Sequence, residues 1–489
     1  MVSHSDTRTR DPNLRYLNCA NHNLTFLNPQ ICELVNLQHF DLTYNQLKKI
    51  PDQIGNLTNL QVLYLEYNQI YSLPDTIGNL NSLKLLSLSG NSLKSLPESI
   101  CNLSNLQFLN LDINCLLTLP DLFGNLNNLE SLSVNKNNLQ SLPDSIGKLT
   151  NLQTLALDFN NLTKLPDSIC NLTNLNKLTV FNNKFNSFSV SICNLSNLQY
   201  LNFNYNQLKS LPDSIINLTN LQNLSLYNNE LSTLPDNIGN LINLQCLYLS
   251  NNELTFIPNS IGNLLNLQMF HLSINKLTTL PTSIGNLINL QILTLAYNQL
   301  DSLPDTIKNL INLKQLFFNN NKLFKFPSNI CNLINLHTLN MSNNNLTLLD
   351  DSIGNLTNLK ILNLSNNQLT SLPDTICNWT NLKELDLNNN YLITLPATIG
   401  KLLSIDKFYL KANKLSILPN SLSKIKEKLL IDESSYEINN LDIENNLLIF
   451  SNLKIRLDNL PINTQEIWLS SKIVDYNIKL PFACVVNFY

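Results

Sequence analysis

Five histidines, ten cysteines and a thin scatter of carboxylates are the side chains that could do covalent or metal chemistry here. Their spacing argues against it. His4, His22, His39, His271 and His337 stand apart, and none pairs with a nucleophile or an acid in a repeating pattern. There is no H-E-x-x-H, G-x-S-x-G, G-x-x-x-x-G-K-[ST] or G-x-G-x-x-G, so the metallopeptidase, hydrolase, P-loop and dinucleotide readings all lack their key residues. The cysteines contain no C-x-x-C. Instead Cys32, Cys101, Cys170, Cys193, Cys331 and Cys377 share one phase with nine of the ten glycines, such as Gly55 and Gly147. A small residue is wanted at that phase, and buried free cysteine behaves as a small hydrophobe. Reduced structural thiols are therefore expected, with Cys170 and Cys193, in adjacent turns, as the pair to check. Ten of the 35 acids follow a proline, as in Asp75, Asp144 and Asp213, where they suit a helix start better than catalysis.

The elements that carry these residues come from one periodicity. The chain has 489 residues, of which 107 are Leu and 87 Asn, while charged residues make up only 13%. With 43% apolar residues it is not a disordered chain, and a net charge of −4 disfavours a nucleic-acid partner held by bulk charge. No leader-like apolar run follows Met1, and no stretch reaches the length of a membrane helix, so a cytoplasmic protein without a membrane partner is expected. Aligned on itself at 23 residues, the chain repeats L-x-x-L-x-L-x-x-N-x-L. Leu60, Leu63, Leu65, Asn68 and Ile70 form one copy, and Leu290, Leu293, Leu295, Asn298 and Leu300 another. The first position recurs from Leu14 to Ile405, which makes eighteen copies with no insertion. A phased proline and a 23-residue period exclude a coiled coil.

This pattern resembles the leucine-rich-repeat family over about residues 14–423. The segment Leu142-Pro143-Asp144-Ser145-Ile146-Gly147-Lys148-Leu149-Thr150-Asn151-Leu152 is similar to the 23-residue class of intracellular Ras-suppressor-like and plant intracellular Ras-group-related proteins. The Asn-rich composition resembles that of amoebae or the giant viruses that infect them. The residues support an α/β architecture on their own account. The period-2 part of each copy reads as a short strand with one face inward, and successive strands can pair in parallel. The return segment starts with proline in most copies, at the expected first position of a short helical turn. The expected fold is a curved solenoid, or horseshoe, with a parallel sheet on the concave face and helical turns on the convex face. One copy buries too little apolar surface to offset the ordering of its backbone, so the copies must stack.

Asparagine fills the ninth position in every copy but the first, which has His22. The column runs Asn45, Asn68, Asn91, Asn114, Asn137, Asn160, Asn183, Asn206, Asn229, Asn252, Asn275, Asn298, Asn321, Asn344, Asn367, Asn390 and Asn413. An amide carries two donors and an acceptor, so this column is expected to pair buried backbone groups of its own and neighbouring turns. A second Asn column precedes the first leucine, from Asn13 and Asn36 to Asn381. Triplets such as Asn56-Leu57-Thr58 match the glycosylation pattern but are expected to be repeat consensus.

Positions three, five, seven and eight are expected to face outward from the sheet or its exit. Aromatics collect there at Tyr64, Tyr67, Phe108, Phe159, Phe181 and Tyr200, then at Tyr205, Tyr227, Tyr248, Tyr297 and Phe317. His39 and His271 share the face, with Asp41, Glu66, Asp112 and Asp158. Beyond Phe317 the same positions turn to amides and hydroxyls, as at Asn340, Asn343, Asn363 and Asn366. An exposed aromatic surface marks a partner site, and lateral stacking between strands is the competing explanation. Lys136, Lys177, Lys407 and Lys411 are too scattered for a polyanion site.

Two turns depart from the pattern: Leu-Pro-Asp is missing around Phe188-Ser189-Val190, and the proline around Leu349-Asp350-Asp351. After about Leu422 the register fails. Ile438, Leu441, Ile443, Asn446 and Leu448 fit it once more, Ile467-Trp468-Leu469 suggests a degenerate turn, and residues 483–489 read as a strand. Residues 1–13 are thus expected to form a polar tail and 424–489 a C-terminal cap over the open solenoid end. The expected function is a non-enzymatic scaffold that binds a protein on the concave face and needs no cofactor or metal. The family resemblance implies a small GTPase or phosphatase as partner. The alternatives are a ligand-sensing receptor ectodomain and an enzyme using Cys484, Asp432 and Glu433 of the C-terminal segment.

Overall fold

The computed structural model describes residues 13–415 continuously, then Asp11, Pro419, 421–422, 424–425, 429–430, 447–450, 466–469 and 485–488. The chain divides into two compact units, Met1–Glu253 and Leu254–Tyr489. Each is built from one coil per repeat.

In the first unit eleven three-residue strands recur at 23-residue intervals, from Tyr16–Asn18 to Cys246–Tyr248. All pair in parallel, and each residue faces its equivalent one repeat on: Leu17 opposite Phe40, Phe40 opposite Leu63, Leu201 opposite Leu224. The second unit repeats the arrangement with seven strands, from Met269–His271 to Lys407–Tyr409, and Leu429–Leu430 adds to its edge. The central residue of each strand points inward. Leu63, Leu86, Leu132 and Leu224 are wholly buried, as are Phe270, Leu293 and Leu316 in the second unit. The flanking leucines of the pattern join them, so every coil contributes to a continuous apolar spine within its unit.

The return segments are 3-10 turns, mostly of five residues, such as Asp52–Asn56 and Asp144–Lys148. In most coils proline takes the cap before the turn and not the first turn position expected from sequence, which Pro29 does occupy; Pro120, Pro235 and Pro396 stand two residues before the cap. Pro51 is extended (φ −69°, ψ 150°), and its carbonyl accepts from the Ile54 N–H at 3.0 Å. Outside the turn the missing proline N–H costs nothing, and the ring fixes the entry angle. The two turns that depart from the pattern keep their 3-10 geometry by a different cap. Ser189 Oγ accepts from the Ser191 N–H, and Asp350 Oδ1 from the Ser352 N–H at 2.8 Å. A side-chain oxygen there does what it does at any helix N-cap.

The glycine phase lies where adjacent turns touch. A Cβ on Gly55 would stand 2.7 Å from the Thr76 carbonyl oxygen. The nine cysteines among the described residues are free thiols, including Cys170 and Cys193. Burial pushes the thiols of Cys32, Cys101 and Cys331 up to about 11, far from the thiolate that would react.

Past the repeats, Leu447–Phe450, Glu466–Leu469 and Val485–Phe488 form a parallel three-stranded sheet. Two of these strands fall on the segments 467–469 and 483–489 read from sequence. Of the repeat copy anticipated from Ile438 to Leu448, only Leu448 is described, in the first of these strands; its other pattern residues, the polar tail before Asp11 and Cys484 lie outside the described residues.

Candidate functional site

The outward face of the strands is set by the ninth-position amide, so its geometry comes first. Asn68 Oδ1 accepts from the Leu47 N–H at 3.0 Å. Its Nδ2 donates to the Leu42 carbonyl of the preceding coil at 3.0 Å and to Leu65 of its own coil at 3.2 Å. The same set recurs from Asn45 to Asn413, for example at Asn137, Asn229, Asn344 and Asn390. Each amide bonds backbone groups that the sheet does not reach.

Turning that amide inward forces the residue before it into the left-handed region. All eighteen eighth-position residues have φ between 50° and 70°. Eight are Asn and one is Gly90, the types that accept this conformation. Nine are not: Tyr44, Tyr67, Ile113, Lys136, Phe159, Tyr205, Ile274, Tyr297 and Ala412. Bulky or β-branched residues are strained there. Sequence reasoning grouped these residues by exposure and missed the strain. The column's Asn and Gly content was the available signal.

The strained rings are exposed, and in the first unit they gather into two clusters. Tyr44 and Tyr67 stack with centroids 4.6 Å apart, and the Tyr67 ring lies over Gly90, where a Cβ would come within 2.8 Å of it. The second cluster runs Phe159–Phe181–Tyr205–Tyr227, with centroid separations of 4.9, 5.0 and 5.2 Å. Lys136 places its ammonium 5.7 Å from the Phe159 ring, and Lys177 sits 5.3 Å from Tyr200. Phe108 is exposed, and Tyr64, Tyr200 and Tyr248 are half-buried on the same strands. His271, Tyr297 and Phe317 belong to the second unit, where His271 Nδ1 lies 3.3 Å from Thr294 Oγ1.

The acidic residues of this face are occupied with the fold. Glu66 accepts from Thr43 Oγ1 at 3.1 Å and from Ser87 Oγ. Asp112 Oδ1 accepts the Asn135 N–H at 2.6 Å, Asn135 Oδ1 the Asp158 N–H at 2.7 Å, and Asp158 Oδ1 the Phe181 N–H at 2.7 Å. Asn204 serves Tyr227 in the same way. An amide and a carboxylate are thus interchangeable in this relay.

Burial raises the Asp158 carboxyl above its ordinary pKa of 3.8, against the opposing pull of the Phe181 N–H. The native state then holds its proton to higher pH than the unfolded chain, so stability falls as pH rises from 3.8 through the raised value. Asp158→Asn keeps the acceptor and removes the desolvated charge. It is expected to be more stable than wild type at pH 7, with the difference closing below pH 3.8 in urea titrations at both pH values.

A further exposed row escaped the sequence reading. Leu265, Ile288, Ile311 and Ile334 occupy, in successive coils of the second unit, a phase that holds Thr, Ser or Asn in Thr150, Ser196 or Asn127. All four are about half exposed, and the carbonyls of Leu265, Ile288, Ile311 and Ile334 accept from Asn289, Asn312, Asn335 and Asn358. The second Asn column is therefore also a hydrogen-bonded ladder. Among the described residues no group of three or more metal-ligating side chains occurs, and no helix is long and apolar enough to cross a membrane.

Family models agree with this construction. One described as a leucine-rich repeat region matches residues 52–138, 182–276 and 256–344, and one described as leucine rich repeat matches 12–70, 127–185, 334–392 and 357–415. The chain belongs to the leucine-rich-repeat family. No curated protein matches it. A solved leucine-rich-repeat protein of Leptospira interrogans is 33% identical, covering 87% of this chain and 97% of that one, with a TM-score of 0.68. The Arabidopsis receptor kinase HAESA, solved with the peptide hormone IDA and a co-receptor, is 28% identical over 94% of this chain and 79% of its own, with a TM-score of 0.68. A TDR receptor is 25% identical over 94% of this chain and 85% of its own, with a TM-score of 0.71. Leucine-rich-repeat structures similar to this chain thus include both a bacterial protein and receptor ectodomains.

Proposed function

We propose that this chain is a non-catalytic scaffold that binds a protein through the aromatic strand face of its first unit. One observation carries the reading: Tyr44, Tyr67, Phe159 and Tyr205 are exposed at positive φ, where Asn or Gly serves other coils without strain. Strain kept at an exposed position marks a functional constraint. Rigid aromatics on a preformed sheet make suitable anchors, because little ordering is needed on binding. The 23-residue period supports membership of the Ras-suppressor-like class, and the Asn-rich composition an amoebal or giant-virus source. A small GTPase or phosphatase in the cytoplasm is then the first partner to try.

A second reading, a ligand-sensing ectodomain that takes a peptide, draws on the similarity to HAESA with its peptide hormone. Affinity capture with wild type and with the Tyr205/Tyr227/Tyr248→Ala variant tests the placement. The variant is expected to lose the partners that wild type retains. Recovery of every partner by the variant would remove the site from this face. Captured folded domains support the scaffold, whereas a retained short peptide supports the ectodomain.

A further inference from the structure

The second unit carries an outward row of different chemistry. Its fifth-position residues pair strand to strand in the order Phe317, Asn340, Asn363, Asp386, Tyr409. Four strand spacings make this row about 19 Å long. All five side chains are half-buried, so each keeps a solvent-facing part.

The two central amides are held in one orientation. Asn340 Oδ1 accepts from the Ser342 N–H at 3.0 Å and from Ser342 Oγ at 2.8 Å. Asn363 Oδ1 does the same for Ser365, at 2.9 and 2.7 Å. A backbone N–H can only donate, so the oxygen is fixed toward it and the Nδ2 group is the end left over. Beside them Asn343 and Asn366 turn their Nδ2 toward Ser342 Oγ and Ser365 Oγ, at 3.4 and 3.5 Å, which leaves their oxygens as acceptors. Two adjacent coils thus present the same fixed pair, a donor and an acceptor, one strand spacing apart. Asp386 continues the row, its carboxylate bonded by the Asn388 N–H at 3.0 Å and by the Ser365 hydroxyl.

We propose that the row Phe317–Asn340–Asn363–Asp386–Tyr409 is a binding site for a neutral, hydroxyl-rich oligosaccharide. A hydroxyl donates and accepts at once, which matches the alternation of amide nitrogen and oxygen. A sugar ring also has an apolar face of C–H bonds, and the aromatic residues at the two ends offer surfaces for it. A phosphate or polyanion is disfavoured, because the outward positions of the two central coils hold amides, hydroxyls and Ile361 but no cation, and Asp386 follows them. A protein partner is disfavoured too, since the outward positions of these coils lack the aromatic anchors that dominate protein interfaces. This site lies in a different unit from the proposed protein-binding face and does not depend on it.

The test uses the full chain and isothermal titration with maltohexaose, cellohexaose and chitohexaose. At least one is expected to bind with a Kd below about 1 mM. Asn340→Asp/Asn363→Asp keeps the acceptor for each serine and replaces only the donor. It should weaken binding by about tenfold or more, a factor that corresponds to one lost hydrogen bond, with circular dichroism showing that the variant is still folded at the titration temperature although the added charges lower its unfolding temperature. Phe317→Ala should weaken it as well, and Tyr205→Ala in the first unit should not. Failure of all three sugars to bind, or wild-type affinity in the Asn→Asp variant, overturns the proposal. So does a protein partner that the wild type captures and the Asn→Asp variant alone loses, since the row would then be a protein site.

Discussion

Asn229→Leu is expected to destabilise the first unit by about 3–5 kcal/mol, far more than an average substitution. Asn229 Oδ1 accepts from the Leu208 N–H at 3.0 Å, and its Nδ2 donates to the carbonyls of Phe203 and Leu226 at 2.9 and 3.1 Å. Leucine has similar volume and none of these bonds. Three backbone groups from two coils would be left unpaired at a site only 8% exposed. Each stranded group costs about 1–3 kcal/mol, and partial relaxation toward water brings the sum into the stated range. Urea denaturation measures the loss, and a value under about 1 kcal/mol would show that the amide column is not what joins the coils. Because coils couple to their nearest neighbours, hydrogen exchange should accelerate around Tyr200–Asn202 and Asn223–Ser225 and stay unchanged near Tyr16–Asn18.

The same geometry explains the one departure in that column. Each amide sends a bond to the carbonyl of the preceding coil, as Asn68 does to Leu42. Residues 1–13 do not carry the pattern, so the bond to a preceding coil has no counterpart there, and His22 stands at this position with its N–H held by Asn45 Oδ1 at 3.1 Å. That requirement, like the parallel strands and the inward leucines, was legible in the sequence, because identical spacing demands identical packing eighteen times over. Features that depend on torsion were not. The eighth position looked like a simple exposed column, and only the backbone reveals that Phe159 and Asn182 share a left-handed conformation. Nor could sequence separate a carboxylate that greets solvent from one that caps a neighbouring coil. Asp112 and Asp158 read as recognition residues, yet each receives a backbone N–H from the next coil. The cap position of proline was misplaced by one residue for a related reason: a 3-10 turn closes on the carbonyl three residues back, which makes Pro51 the acceptor and leaves it outside the turn.

Asparagine at the strained aromatic positions is expected to separate stability from binding. Left-handed backbone costs a bulky residue roughly 1–2 kcal/mol, and asparagine largely escapes this. Tyr297 is 56% exposed, so little packing opposes the relief, and Tyr297→Asn should stabilise the second unit by about 1 kcal/mol. Tyr205 also touches Phe181 and Tyr227, at centroid separations of 5.0 and 5.2 Å. Losing those ring pairs costs about 0.5–1.5 kcal/mol each, so Tyr205→Asn should come out within about 1 kcal/mol of wild type. Binding should respond very differently. If Phe159 and Tyr205 anchor a protein partner, the Phe159→Asn/Tyr205→Asn variant should lose about 100-fold in affinity, as removal of two central anchors does elsewhere. Lateral stacking as the sole role of these rings makes the opposite prediction. The double variant would then unfold at distinctly lower urea while holding its partner as tightly as wild type. Parallel urea denaturation and titration of the captured partner distinguish the two outcomes, because strain at an exposed ring is worth keeping only if something outside the chain uses the ring.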